Sequence, residues 1–246
     1  MSDEQTEFQL LDRRSFQHFC GLEHSANIPD HATIWNFGNR IGADGVNAIF
    51  TELDRQIRTQ GLEASAGQIV DATLVPAPRQ NFTPEEKEIL EQGATPADWK
   101  PARRWQKDVD ARWTRKHGKS THSYKFTVSV DRKHKPVRDW LAEWNTSGEI
   151  YADKGYVGAE REERLREQGY RHYIQRKGAP GKPLSTRQQG RNRRIAKVRA
   201  RVEHVFAAIT QWGGRQIHTI GQARASFAIG MMVLVYNMRR LAFLAG

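Results

Sequence analysis

Hydrophobic positions in the first 60 residues of the chain recur with the period of an α-helix. Apolar side chains mark one face of Glu7–Phe19 and again of the stretch from Ile34 to Ile57, and the turn-forming segment Asn27–Asp30 separates the two. The pattern therefore predicts an N-terminal helical region over residues 1–60. Such a region either packs on a catalytic domain or contacts DNA, and both interpretations remain open.

The pattern changes at Gly61, after which short strands alternate with helices. Strands are predicted over residues 67–76, 123–131, 149–153 and 170–175, and helices over residues 160–168, 191–211 and 227–244. Residues 79–120 are charged and irregular, and we interpret them as a long insertion or loop in which residues 84–92 form a helix capped by Thr83. The alternation predicts an α/β domain over residues 61–246, in which helices pack on a mixed sheet.

Basic residues outnumber acidic ones in this 246-residue chain, 39 to 28, which gives a formal net charge of +11. Such an excess is typical of proteins that bind phosphate backbones, although it also occurs in proteins that are merely soluble and basic. Its distribution favours nucleic acid, because one basic run continues to Glu203 without an acidic residue. That run comprises Arg187, Arg191, Arg193, Arg194, Lys197, Arg199 and Arg201.

Neither a membrane span nor a cysteine-based site is predicted. The most apolar stretch, Phe227–Val235, falls short of the roughly 20 apolar residues that cross a bilayer. Cys20 is the single cysteine, so no disulfide forms within the chain. The histidines lack the spacing of zinc ligands and are interpreted as solvated loop residues. We therefore expect a cytoplasmic protein without a membrane partner.

Three carboxylates stand out by their surroundings. Asp71 lies within an apolar strand, and Asp153 ends a second apolar strand, where a carboxylate is costly unless it is paired or binds a metal. Glu203 interrupts the basic helix. Converging carboxylates suit two Mg²⁺ ions, which at about 4 Å from each other activate a water or 3′-hydroxyl and stabilise the leaving oxygen of a phosphodiester.

Each acid also has a purely structural interpretation. Asp71 can pair with an arginine, Asp153 can form a turn with the residues that follow it, and Glu203 can pair with Arg199 one helical turn earlier. The order strand-acid, strand-acid, helix-acid favours the metal site.

Tryptophans alternate with basic residues in the insertion. Trp99, Trp105 and Trp113 stand among arginines and lysines, and such aromatic side chains either stack on DNA bases or anchor the insertion to the body of the protein.

Several motifs together resemble the DDE transposases of bacterial insertion sequences, in the large group that includes insertion sequence five. The resemblance runs from about Glu7 to Leu244. The motifs that carry it are Gly67–Arg79, Tyr124–Asp131, Ile150–Tyr156, Arg199–Phe206 and Ala228–Leu241.

The resemblance implies a ribonuclease H-like fold in which Asp71, Asp153 and Glu203 are the catalytic and metal-binding residues for two Mg²⁺ ions, with Mn²⁺ as a substitute. It also implies cleavage at transposon ends, joining of 3′-OH ends to target DNA, and a homo-dimer or multimer on duplex DNA. Basic residues expected to contact DNA are Arg199, Lys197, Arg201 and Arg194.

The chain departs from the family pattern between Asp131 and Asp153, where relatives carry a longer stretch with a third strand and a helix. Only the segment from Trp140 to Trp144 fills this gap, so one alternative is an incomplete sheet. The protein would then be a truncated, inactive DNA-binding remnant of a transposase. A third hypothesis is a ribonuclease H-like nuclease acting on RNA or on RNA–DNA hybrids.

Overall fold

The computed structural model of the protein describes residues 2–61, 67–116, 118–134, 137–138, 147–214 and 216–246. Its α-helices are α1 (Asp3–Asp12), α2 (Arg14–Phe19), α3 (His31–Thr59), α4 (Pro84–Glu91), α5 (Pro101–Gln106), α6 (Ala159–Glu167), α7 (Thr186–Ile209) and α8 (Gln222–Ala245). Its strands are β1 (Gln68–Pro76), β2 (Arg112–Lys116), β3 (Lys119–Asp131), β4 (Val137–Arg138), β5 (Glu149–Ala152) and β6 (Arg171–Ile174).

These strands form one mixed sheet in the order β2-β3-β1-β5-β6, with β4 also paired to β3. One half is antiparallel, where β3 pairs with β1, β2 and β4. The other half is parallel, where β5 pairs with β1 and β6. The predicted α/β architecture with a mixed sheet and flanking helices is confirmed at this level.

The main core lies between one face of the sheet and helices α7 and α8. Alternate residues of β1 and β3 point to this face, including Ile69 and Val130, which are opposite each other in the antiparallel register. Val202 and Val205 of α7 are fully buried against them. Apolar side chains at helical spacing thus explain why α7 lies across the sheet.

Helix α3 joins the same body through α8. A break at Gly42, where φ is 56°, divides α3, and Leu53 and Ile57 beyond the break pack with Leu234. The predicted N-terminal helices are confirmed, and the last of them packs on the domain core.

Helix α8 extends the predicted C-terminal helix to 24 residues. By length and composition alone it is apolar enough to cross a membrane, contrary to our expectation from its shorter apolar stretch. Length and composition alone are weak evidence for a membrane span, because core helices of soluble proteins can share both. Ile229, Val233 and Tyr236 of α8 are buried in the main core.

The insertion is more ordered than the irregular loop that we predicted. The capped helix α4 is confirmed, with reciprocal hydrogen bonds between Thr83 and Glu86. The prediction was wrong for the rest, because the insertion also contains α5 and β2, and β2 lengthens the sheet by pairing with β3. Short elements of this kind have too few residues to display a period.

A short third strand occupies part of the interval between Asp131 and Asp153. The backbone of Val137 in β4 is held at both polar groups by Asn237 of α8, which accepts from the N–H at 2.8 Å and donates to the carbonyl at 2.7 Å. The predicted filling segment, Trp140 to Trp144, lies outside the described residues, and β4 adds a short strand before it that we did not predict.

Candidate active site

Asp71 is a buried carboxylate on β1, with 7% of its surface exposed. One oxygen accepts the backbone N–H of Ala72 at 2.8 Å, and the other accepts the guanidinium of Arg199 on α7. Arg199 is held in turn by Gln175, which accepts from its second terminal nitrogen at 3.1 Å. The structural interpretation of Asp71 as the partner of an arginine therefore describes its present contacts.

Asp153 follows β5 directly. The parallel register pairs Ile69 with Tyr151. Continuing that register by two residues would bring Asp153, one residue beyond the end of β5, next to Asp71 on the neighbouring strand, since adjacent strands are about 4.8 Å apart. The Asp153 carboxylate also accepts the N–H of Gly155 at 2.8 Å and so caps the short 3-10 turn Lys154–Tyr156.

The pKa of Tyr156 is affected by both carboxylates, Asp71 and Asp153. Burial raises the pKa of the Tyr156 hydroxyl, and the negative charges of Asp71 and Asp153 raise this pKa further. A phenolate is disfavoured there because it would add a third negative charge. Sequence reasoning quoted Tyr156 only within a motif and gave it no role; its place three residues after Asp153 was the available signal.

Glu203 lies on α7, one turn after Arg199, the residue that contacts Asp71. It follows Arg199 by four residues, which places it about 6 Å further along the axis and roughly 40° around it. Its side chain is exposed, and within the described residues it makes neither a hydrogen bond nor an ion pair. The alternative pairing with Arg199 is not formed, since Arg199 binds Asp71 instead.

The three acids do not form a closed metal site. Among the described residues, no three acidic, histidine or cysteine side chains are close enough to hold an ion. The donor set is nevertheless appropriate for hard cations, because it offers carboxylate oxygens from two adjacent strands and a facing helix. The fold thus carries Asp71 on β1, Asp153 directly after β5, the parallel neighbour of β1, and Glu203 on α7, whose Arg199 contacts Asp71.

Helix α7 is positioned by polar contacts with the end of β6. The side-chain amide of Asn192 accepts the backbone N–H of Arg176 and donates to the backbone carbonyl of the same residue, each at 2.9 Å. The Arg191 side chain donates to the carbonyl of Ile174 at 2.7 Å. These contacts fix the start of the helix beside the parallel half of the sheet. Sequence reasoning counted Arg191 only as part of the basic run and missed Asn192 and Gln175.

The basic residues that we predicted to contact DNA divide into two groups. Arg199 faces Asp71, whereas Arg194, Lys197 and Arg201 are exposed and lie within about 60° of one another around α7. We call these three side chains the basic stripe. Glu203 lies at least about 120° away from each of them, so the stripe and the acids occupy different sides of the helix.

Comparison with known families defines the class of protein. A family model described as a transposase DDE domain matches residues 64–238, and one described as a transposase domain (DUF772) matches residues 1–40. The chain belongs to the DDE-domain transposase family, which confirms the resemblance seen in the motifs.

A curated relative gives a more particular likeness. The chain is 29% identical over 186 residues to the transposase for insertion sequence element IS1106 of Neisseria meningitidis serogroup B. This match covers 68% of the chain and 62% of the relative, so the chain corresponds to less than two thirds of that protein. No solved structure matches the chain.

Proposed function

We propose that the protein is a DNA transposase that cuts phosphodiesters at transposon ends and joins the resulting 3′-OH ends to target DNA. Membership of the DDE family supports this reaction class. The observation that carries it is the position of Asp71 on β1 and of Asp153 directly after β5, the parallel neighbour of β1 in the sheet. The mixed sheet flanked by helices supports a ribonuclease H-like fold, with a helical region over residues 1–60 and a catalytic domain over residues 61–246.

In this proposal the three carboxylates Asp71, Asp153 and Glu203 hold two divalent ions. Bound Mg²⁺, or Mn²⁺ in its place, activates the attacking oxygen and stabilises the leaving one. Asp71 and Asp153 supply oxygens from the rigid sheet, and Glu203 approaches from α7. Arg199 has to leave Asp71 for this arrangement, and its guanidinium is then available to a phosphate of the DNA.

Duplex DNA is the proposed partner, both as transposon ends and as target. The basic stripe supports this choice, because none of its three cations has an acidic partner within the described part of the chain; Arg201 donates a hydrogen bond to the backbone carbonyl of Arg132. We further propose that the protein acts as a dimer or multimer on DNA, in the cytoplasm.

The experiment uses a labelled duplex that ends in the inverted repeat flanking the gene, with Mg²⁺, Mn²⁺ or EDTA. Cutting and joining are expected with either metal and not with EDTA. Each of Asp71→Asn, Asp153→Asn and Glu203→Gln should reduce cutting to the level of the EDTA control. Glu160→Gln, which changes an exposed acid on α6, is the matched control and should cut normally.

A second candidate function is a DNA-binding remnant without catalysis. It is favoured by the ion pair between Asp71 and Arg199, and because no three acidic, histidine or cysteine side chains among the described residues are close enough to hold an ion. The same assay separates the two. A protein that binds the end duplex yet neither nicks nor joins it with Mg²⁺ or Mn²⁺ is the remnant, and Asp71→Asn then changes nothing. Cutting of an RNA–DNA hybrid in preference to duplex DNA would instead indicate a nuclease.

A further inference from the structure

The insertion contains a polar pocket at some distance from the three acids. It has a volume of about 650 Å³, within the range of small-molecule sites, and lies between the end of β1, helix α4 and the β2–β3 hairpin. The side chains that give it a chemical character are Arg79, Lys87, Arg112, Trp113 and His122. We call this space the insertion pocket.

The wall of the insertion pocket is held by a different tryptophan. Trp99 is 3% exposed, stacks on Phe82 with ring centres 6.1 Å from each other, and donates to Glu86 at 2.8 Å. Of the two interpretations of the insertion tryptophans, stacking on DNA bases or anchoring the insertion, the contacts of Trp99 support anchoring. Phe82 is shared between the anchor and the pocket lining.

Trp113 has an aromatic surface available inside the pocket. This residue belongs to β2, and 39% of its surface is exposed. Its ring packs against the ring of buried His122, and the two ring centres are 5.3 Å from each other. His122 is itself fixed, because its Nδ1 lies 3.1 Å from the carbonyl oxygen of Pro78. An aromatic ring supported from behind and open in front is suited to stack on a planar group.

Basic side chains lining the pocket outnumber acidic ones by one, with Arg79, Lys87 and Arg112 against Asp108 and Glu91. Arg79 and Lys87 are exposed, and neither has an ion-pair partner within the described residues. Two acids also line the space. Asp108 is occupied, since its oxygens accept the Tyr124 hydroxyl at 2.8 and 2.6 Å, together with backbone N–H groups. Glu91, at the end of α4, is exposed.

We infer that the insertion pocket binds one unpaired nucleotide of a DNA strand, with its base against Trp113 and its phosphate on Arg79 and Lys87. Stacking explains the open ring, and phosphate explains the two cations without acidic partners. This inference rests on the proposed function, because it gives the transposase a second contact with its DNA.

The position of the pocket is compatible with one DNA molecule reaching both places. Arg79 follows Asp71 by eight residues, which an extended chain spans in at most about 28 Å. That length corresponds to roughly eight base pairs at about 3.4 Å per nucleotide of one strand. A strand end separated from its complement is thus within reach of the pocket while the duplex beside it lies at the acids.

The test measures binding of a fluorescein-labelled 12-nucleotide dT strand and of a duplex of equal length to the full chain, by anisotropy. Trp113→Leu should weaken binding of the single strand by about tenfold, whereas Trp113→Phe, which keeps an aromatic face, should retain most of it. Arg79→Gln should weaken binding of the same strand and lower its salt dependence. The matched control is Arg166→Gln, an exposed arginine on α6, which should bind as the parent does.

Photocrosslinking locates the contact. A single 5-bromouracil in the strand should crosslink to the peptide that contains Trp113 in the parent and in Arg166→Gln. Circular dichroism melts check that each variant is folded.

The inference is overturned if folded Trp113→Leu and Arg79→Gln bind the single strand as tightly as the parent, or if free phosphate alone competes as well as the nucleotide strand does. These outcomes leave Mg²⁺-dependent cutting untouched, so the proposed function survives them. The opposite outcome is also distinguishable. If the parent protein never cuts DNA but the pocket variants lose binding of the single strand, the inference about the pocket stands and the transposase proposal fails.

Discussion

Arg199 is the residue whose contacts most affect the candidate site, because it neutralises a carboxylate that would otherwise be buried without a counter-charge. The pair is formed between side chains that are 16% and 10% exposed. A buried carboxylate left alone is costly, so either Arg199 or a cation has to accompany Asp71. If Asp71 binds a metal as proposed, the cation would replace Arg199 at this carboxylate, and the stability of the protein would then depend on metal binding.

Substitution of Arg199 tests this link. Arg199→Ala should lower the free energy of unfolding by about 3 kcal/mol, since it leaves the Asp71 carboxylate unpaired. Added Mg²⁺ should then raise the Tm of Arg199→Ala more than that of the parent, because the carboxylate is no longer occupied. Urea denaturation and thermal melts with and without Mg²⁺ provide the measurements.

Two further variants make this result interpretable. Arg194→Ala, an exposed arginine of the same helix, should change stability by no more than about 0.5 kcal/mol. In Asp71→Ala/Arg199→Ala the extra effect of Mg²⁺ should disappear. An equal rise of Tm in the parent and in Arg199→Ala would show that the arginine and the metal do not compete.

For single residues, the sequence indicated which charged side chains are exceptional but not which side chains they contact. An aspartate within an apolar strand was recognisable as exceptional, and so was a glutamate within a basic helix. The partner of Asp71 was not recognisable, because Arg199 is 128 residues away along the chain and no periodicity connects the two.

Among the elements, the long helices and most strands were predictable, and so was the capped helix α4, whereas α5, β2 and β4 were not. Helix α7 begins with a capping box at Ser185 and buries an apolar face, and both features can be recognised from residues close together in the sequence. Strand β4 has two residues and depends on Asn237, which is 100 residues distant. A strand that is defined by one side chain of another element has no local signature.

Asn237 should accordingly be essential for the third strand. It is 2% exposed, and Asn237→Ala removes partners from both polar backbone groups of buried Val137. We expect a loss of about 2–4 kcal/mol of unfolding free energy, since each unsatisfied buried group costs about 1–3 kcal/mol. Urea denaturation measures the loss, and hydrogen exchange should show faster exchange of the Val137 amide.

A conservative variant distinguishes hydrogen bonding from packing. Asn237→Asp retains the acceptor for the Val137 N–H and loses the donor, so it should protect the Val137 amide better than Asn237→Leu, which retains only volume. If Asn237→Leu keeps the parent exchange rate at Val137, β4 does not depend on these hydrogen bonds.

For the whole molecule, the decisive property is where the excess of positive charge lies. A net charge of +11 predicts attraction to phosphate but no orientation. The fold adds the orientation, because the basic stripe of Arg194, Lys197 and Arg201 faces away from the acids while Arg199 faces towards them. We therefore propose that duplex DNA is held on the basic stripe and acted on at the side of α7 that carries Arg199.

Salt dependence tests this separation. The triple variant Arg194→Gln/Lys197→Gln/Arg201→Gln should lower the slope of log K against log salt for duplex DNA by up to about 2.7, because each phosphate contact contributes about 0.9. The control triple Arg161→Gln/Arg164→Gln/Arg166→Gln removes the same charge from exposed α6 and should leave the slope close to that of the parent. Equal losses in both triples would mean that total charge, rather than the basic stripe, governs binding. A selective loss in the first triple, with single-strand binding at Trp113 preserved, places duplex binding on α7 and keeps it distinct from the insertion pocket.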